Sequence, residues 1–427
     1  MKHPLLGAVC LACILAQGSG VRADQARAVR LTFSTFIEGV LRQNPDRAAQ
    51  LTREKGSEAA IVAARKLPDP SLALAADSVA IGQRDAPLAF SIGIEEEFEL
   101  GGKRGARIGS AQADHRRTMA ESGSFTADLV KEAAEAWVEA LAAHQQLARK
   151  DEALASLERV NGINRERVRA GDIGEIEVAQ SGIEVERFRG EIAKARAAVR
   201  DADLRLLALA GMNDSESDGV VLEGSLIIEA QTATVDELLK AARAHNVALK
   251  SAQAAVAAAD KRLELVRADR RPNLTIGAGW LHNTAGRGGF EIPELDALRI
   301  FTSIPLPFSM LNQGPVEQAR AEQLYTRRVV EAAERALDSK VRRAVEQYTA
   351  ATKRLALFNG PIVQSAEKVR NAKLYSYQRG EVSLLEELHA EQTLNEVYLE
   401  QIEALQDHAK ALIEIQYLTG LPERLPL

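Results

Sequence analysis

The side chains able to do chemistry are sparse in this sequence and poorly spaced for it. Seven histidines lie at positions 3, 115, 144, 245, 282, 389 and 408, without the spacing of a metal-ligand set. No Gly-x-x-x-x-Gly-Lys-Ser/Thr loop is present to cradle phosphate, and no His-Glu-x-x-His helix to hold zinc. Glu95, Glu96 and Glu97 form an acidic run beside a strand end; it is either a rim that attracts cations or a solvated turn. His282, near the end of another strand, reads as a solvated loop residue. With no nucleophile–base pair and no ligand cluster, the expectation is no catalytic residue, no cofactor and no metal site. The chain must act by shape, so its elements carry the functional reading.

Composition narrows the class. Of 427 residues, 46% are hydrophobic, 27% charged and only 4% aromatic, and the net charge is −6. A mildly acidic chain without a basic face is no nucleic-acid binder. The small share of aromatics points to helices packed through Ala, Leu and Val rather than one large core. At the N-terminus, Lys2 and His3 precede an apolar run from Leu5 to Ile14 and a small-residue site at Val21-Arg22-Ala23. That is the layout of a signal peptide over residues 1–23, cut after Ala23. Both cysteines, Cys10 and Cys13, lie inside it without a lipidation box, so the exported chain is expected to carry no disulfide and no lipid.

Landmarks recur in order. Asn44 and Asn246 are separated by 202 positions, as are Pro70 and Pro272; Gly171 and Gly380, and Gly211 and Gly420, are separated by 209. One unit therefore occurs twice, over 24–211 and 234–420, with a linker at 212–233 and a tail at 421–427. Each unit reads as helix, β-hairpin (71–99, then 273–306), very long helix, glycine break and long helix. The proline-free run from Arg104 to Ala170 is rich in strong helix formers. Helices of about 40 to 65 residues would be roughly 60 to 100 Å long. Such lengths imply coiled-coil packing, with hairpin turns at Gly171 and Gly380 and a possible kink at Pro361.

The hairpins change period. Leu88, Phe90, Ile92 and Ile94 alternate with small or polar residues, as do Ile276, Ala278 and Trp280, then Leu298 and Ile300, and more weakly Leu72 and Leu74. Four strands of about ten residues with one aliphatic face match the transmembrane β-barrel pattern. Hairpins on a soluble sheet would show the same period. Export, and the absence of any other segment to cover the strands, favour lipid. Trp280, Lys103 and Arg104 would then mark the membrane boundary. Four strands cannot close a barrel, and lipid tolerates no open edge, so several chains must share one.

Several segments resemble TolC-type outer-membrane efflux proteins across the whole exported chain. They are Asn44-Pro45, Leu67-Pro68-Asp69-Pro70, Phe98-Glu99-Leu100-Gly101-Gly102-Lys103-Arg104, Ile304-Pro305-Leu306-Pro307 with Asn312-Gln313-Gly314, and Gly380-Glu381-Val382-Ser383-Leu384-Leu385-Glu386. The Leu-Pro-Asp-Pro and Phe-Glu-Leu-Gly-Gly-Lys-Arg stretches most resemble the heavy-metal branch, the cobalt–zinc–cadmium resistance (CzcC-like) proteins. Many relatives carry a lipidated N-terminal cysteine; this chain departs from them.

The resemblance implies a mainly α fold with a membrane β-barrel. A homotrimer would place four strands per chain in a shared twelve-stranded barrel, above a periplasmic α-barrel of coiled-coil helices. It implies passive export of heavy-metal cations, with no enzyme activity, together with a periplasmic adaptor and an inner-membrane RND-type pump. Outer-membrane lipid is the remaining partner, and nucleic acid is none. In relatives, an acid six positions after the second turn glycine lines the pore constriction, which maps here to Glu386 and, in the first unit, to Glu177. The family's next acidic position is His389 here, a departure. Threefold symmetry would make each carboxylate a ring that favours cations; a surface ion pair is the plainer role. A TolC-type duct for drug efflux or type I protein secretion, and a soluble periplasmic coiled-coil scaffold, remain as alternatives.

Overall fold

The computed structural model describes residues 29–78, 88–212, 220–228, 233–284, 294–306 and 313–420. The expected signal peptide with its two cysteines, and the tail 421–427, lie outside the described residues.

The first unit opens with β1 (Val29–Thr32), α1 (Phe33–Gln43) and α2 (Pro45–Ala64). Asn44 starts α2 from the cap position, accepting a hydrogen bond from the Arg47 N–H at 3.0 Å, and Pro45 fills the first turn, where a missing N–H costs nothing. The Asn44 amide also donates to the Leu209 carbonyl at 3.1 Å. Asn246 repeats both contacts in the second unit, accepting from Leu249 N–H at 2.9 Å and donating to the Leu418 carbonyl at 3.1 Å. One asparagine in each unit thus caps a short helix and bolts it to the end of that unit's last helix. Glycine is needed at the bolted end: a Cβ on Gly211 or Gly420 would lie 2.5 Å from the carbonyl oxygen of Gln43 or His245.

Two strands follow, β2 (Ser71–Ser78) and β3 (Leu88–Phe98), then α3 (Lys103–Ala170) and α4 (Glu175–Leu209). With 68 residues, α3 is about 100 Å long. The reversal between α3 and α4 uses Gly171 at φ 82°, a left-handed conformation that glycine adopts without strain.

The segment expected to be a plain linker contains a strand. β4 (Val220–Glu223) pairs in parallel with β1. It was illegible because four residues give too short a run for a period.

The second unit has α5 (Val235–His245), α6 (Val247–Asp269), β5 (Leu274–Asn283), β6 (Leu295–Ser303), α7 (Gly314–Leu357), α8 (Val363–Gln378) and α9 (Leu384–Leu418). One π-helical turn, Phe358–Ile362, separates α7 from α8 and contains Pro361, whose ring excludes a regular i−4 hydrogen bond. Gly380, at φ 75°, reverses the chain between α8 and α9.

The main core gathers where both units' short helices meet the long ones. Trp137 of α3 is fully buried, with the rings of Phe36 and Phe33 at 5.5 and 5.9 Å. A smaller cluster near the helix reversals joins Leu157 and Val160 of α3, Phe188 of α4, Tyr377 of α8 and Leu384 and Leu388 of α9. No helix among the described residues is long and apolar enough to cross a membrane.

Candidate functional site

Two regions carry the functional geometry: the four-stranded sheet at one end of the long helices, and the paired reversals at the other.

The sheet runs β2-β3-β5-β6, every pair antiparallel. Register stacks Leu74, Ile92, Trp280 and Leu298 in one row across it, and Leu72, Ile94, Ala278 and Ile300 in the next. This apolar face is open: Leu74 is 68% exposed, Ile94 63%, Leu298 77% and Ile300 70%. The opposite face carries mostly small or polar residues, Ser91, Gly93, Gly277, Gly279 and Arg299 among them, with Leu281 and Phe301 as its large apolar side chains. In water a sheet buries its aliphatic face and wets the other; here the aliphatic face is the bare one. Among the described residues β2 and β6 end the sheet without a partner strand, leaving two rows of unpaired backbone groups.

The three expected boundary residues divide between the two ends of the sheet. Lys103 and Arg104 sit at the helix side. Lys103 is buried and donates to the Asn273 side chain at 2.6 Å, while Arg104 donates to the Arg65 carbonyl at 3.0 Å from its Nη2. Lys103 thus ties the start of α3 to the residue before β5, while Arg104, exposed, ties it to the end of α2. Arg107 reinforces the joint by binding the Ala64 and Lys66 carbonyls and pairing with Glu99. Trp280 stands six residues along β5 from Leu274, about 20 Å away, exposed on the apolar face.

Strand alternation divides the acidic run, with Glu95 and Glu97 on one face and Glu96 on the other. Glu95 faces Ser71, accepting its hydroxyl at 3.1 Å; Glu96 pairs across from Ile276 on the other face; Glu97 accepts the Asn273 amide. His282 is in β5, not a loop. It stacks on Trp280 at 5.5 Å and its Nδ1 lies 2.9 Å from Asp296.

At the far end the two reversals lie side by side. Arg167 of α3 donates to the Tyr377 carbonyl of α8 at 3.3 Å, and a Cβ on Gly380 would lie 3.5 Å from its guanidinium. The Tyr377 hydroxyl donates to Asn164, whose amide donates to Ser181 of α4 at 3.1 Å. A buried polar chain thus joins α8, α3 and α4.

Glu386 and His389 come together on α9, lining one side of a cleft of about 680 Å³ whose other side includes Val369 and Lys373 of α8. Glu386 is paired: Lys373 donates to it at 2.6 Å and Ser383 caps its N–H at 3.3 Å. That lysine, by hydrogen bond and charge, holds the Glu386 carboxyl below the usual range. Glu177 lies apart on α4, where its charge acts on Tyr377. Sequence reasoning missed Lys373. The signal was available, since Lys373 and Glu386 flank Gly380 at nearly equal distances and a helical hairpin brings such positions together. The sequence shows Glu387 next to Glu386 but not that it is fully buried. Among the described residues no group of three or more His, Cys, Asp or Glu side chains could hold a metal ion.

A family model described as outer membrane efflux protein matches residues 36–212 and 238–421. The cobalt-zinc-cadmium resistance protein CzcC of Cupriavidus metallidurans is 23% identical over 398 residues, covering 91% of this chain and 90% of that protein. Among solved structures, the outer membrane protein VceC of Vibrio cholerae superposes with a TM-score of 0.73 at 18% identity, over 91% of this chain and 96% of that one. The CmeC outer membrane channel of Campylobacter jejuni gives 0.75 at 13% identity, over 91% and 85%.

Proposed function

The chain belongs to the outer membrane efflux protein family, and we propose that it is the exit duct of a tripartite efflux system for heavy-metal cations. The observation that carries the duct reading is the four-stranded sheet with its aliphatic face bare and both edges open, set on helices about 100 Å long. Three such sheets joined edge to edge close a twelve-stranded barrel with the aliphatic residues toward lipid and the small residues toward the lumen. The long helices extend into the periplasm as an α-barrel. The reversals at Gly171 and Gly380 form its entrance, with Glu386, His389 and Glu177 toward the axis. An RND-type pump and a periplasmic adaptor supply energy and connection; this chain makes and breaks no bond.

The heavy-metal reading draws its support from the similarity to the Cupriavidus protein, whose name states cobalt, zinc and cadmium resistance, and from the Leu67–Pro70 and Phe98–Arg104 stretches. The soluble-scaffold alternative is set aside by the family assignment. Deleting the gene should lower host tolerance to cobalt, zinc or cadmium, read as growth inhibition across a metal series. Loss of drug or dye tolerance alone would overturn the metal reading and leave the duct.

A further inference from the structure

Two carboxyl groups near the reversals, Glu387 and Glu391, have no part in the account so far. They are one turn apart on α9, on its buried side. Glu391, 5% exposed, is well served: Ser156 Oγ of α3 donates to its Oε2 at 2.9 Å, and Arg370 Nε of α8 lies 3.2 Å from the same oxygen. Glu387 is 0% exposed, and neither of its oxygens has a hydrogen-bond partner among the described residues. Its neighbours in the chain, Leu384 and Leu388, belong to the apolar cluster that docks the second helical hairpin against α3.

The charges that act on Glu387 come from Glu391 on its own helix and Arg370 on α8. Tyr377 of α8 also senses it, while Arg167 of α3 and Glu177 of α4 act on Tyr377. The side chain that α3 places beside the pair, Ser156, is uncharged. One guanidinium, already against Glu391, therefore faces two buried acids. An ionised carboxylate without a hydrogen-bond donor is strongly disfavoured in such a site.

We propose that Glu387 is a proton-operated latch: protonated, it stays buried and holds the start of α9 docked on α3; on losing its proton it leaves that site and the start of α9 undocks. The latch concerns helix docking within one chain, and rests on the duct reading only for its consequence, an entrance that loosens as pH rises.

The direction follows from linkage. Burial first, then Glu391, raises the Glu387 carboxyl from 4.5 to about 7, with Arg370 opposing. The docked form binds the proton more tightly than the undocked form, so docking is strongest below 4.5 and weakens until pH passes 7. Between pH 5.5 and 8.5 the docking equilibrium should change roughly 30-fold.

Hydrogen–deuterium exchange on the full protein in detergent tests this, with rates corrected for the intrinsic pH dependence. Amides of residues 384–391 should lose roughly 30-fold in protection between pH 5.5 and 8.5, most of it below pH 7, above which protection levels off. Glu387→Gln, neutral at every pH, should abolish the change, and Glu387→Leu should do the same if the glutamine variant folds poorly. Glu396→Gln, an exposed charge on the same helix, should retain it. Unchanged protection in wild type, or an unaltered profile in both Glu387 variants, would overturn the latch. The readout needs no metal, pump or adaptor, so failure of the efflux reading would leave it intact, and the reverse.

Discussion

At the level of single residues, Glu386 is an ion-pair partner before it is anything else. A ring of three such carboxylates would carry three lysines with it, which cancels most of the cation preference that bare carboxylates confer. If the cleft between α8 and α9 faces the conduction path, the pair makes an asymmetric prediction for reconstituted channels. Lys373→Gln should shift the reversal potential in a salt gradient toward cation selectivity, and Glu386→Gln should shift it toward anions. Insensitivity to both substitutions would place the pair off the path. Since the lysine holds the Glu386 carboxyl below its usual range, this residue stays ionised around neutral pH and cannot give a conductance transition there. The position of Glu386 on the first turn of α9 was readable from its spacing to Gly380. Its partner was not, because Lys373 is on a different helix and only the hairpin brings the two within 2.6 Å. Glu387 was equally hidden: nothing in the run Glu386-Glu387 says which of two adjacent acids turns inward, and only the packing of Leu384 and Leu388 decides it.

At the level of elements, long-period features were legible and short ones were not. The run from Arg104 to Ala170 reads as one helix because no proline or glycine cap interrupts it for some 18 turns, and α3 spans Lys103–Ala170. The strands were legible from alternation alone, and alternation also sorts the three consecutive glutamates of β3, placing Glu95 and Glu97 on one face and Glu96 on the other. β1 and β4, four residues each, gave no period to read. Two classes of glycine in left-handed conformation can be separated by experiment. Gly171 has open space where a Cβ would go, so Gly171→Ala should cost about 1 kcal/mol, the conformational term alone. Gly420 has the His245 carbonyl 2.5 Å from that point. Gly420→Ala must also push apart the joint held by Asn246, and should cost about 3 kcal/mol or more. Urea unfolding followed by helical circular dichroism separates the two; equal losses would mean that the close approach relaxes at no cost.

At the level of the whole molecule, the sheet and the helices obey opposite solvent rules. The helices bury their aliphatic residues around Trp137 and around Leu388, as any water-soluble bundle does. Among the described residues the sheet leaves its aliphatic face open and its edge strands unpaired, which water would penalise and lipid would accept only after edge closure. Association through β2 of one chain and β6 of the next, as proposed above, would meet both demands. The central claim is therefore a closed assembly of three chains, and the direct measurement is native mass spectrometry of the mature protein extracted from the outer membrane in mild detergent. The account predicts a complex of three copies of this chain, with no free monomer surviving removal of detergent as a soluble species. A monodisperse single chain, stable in buffer without detergent, would contradict it.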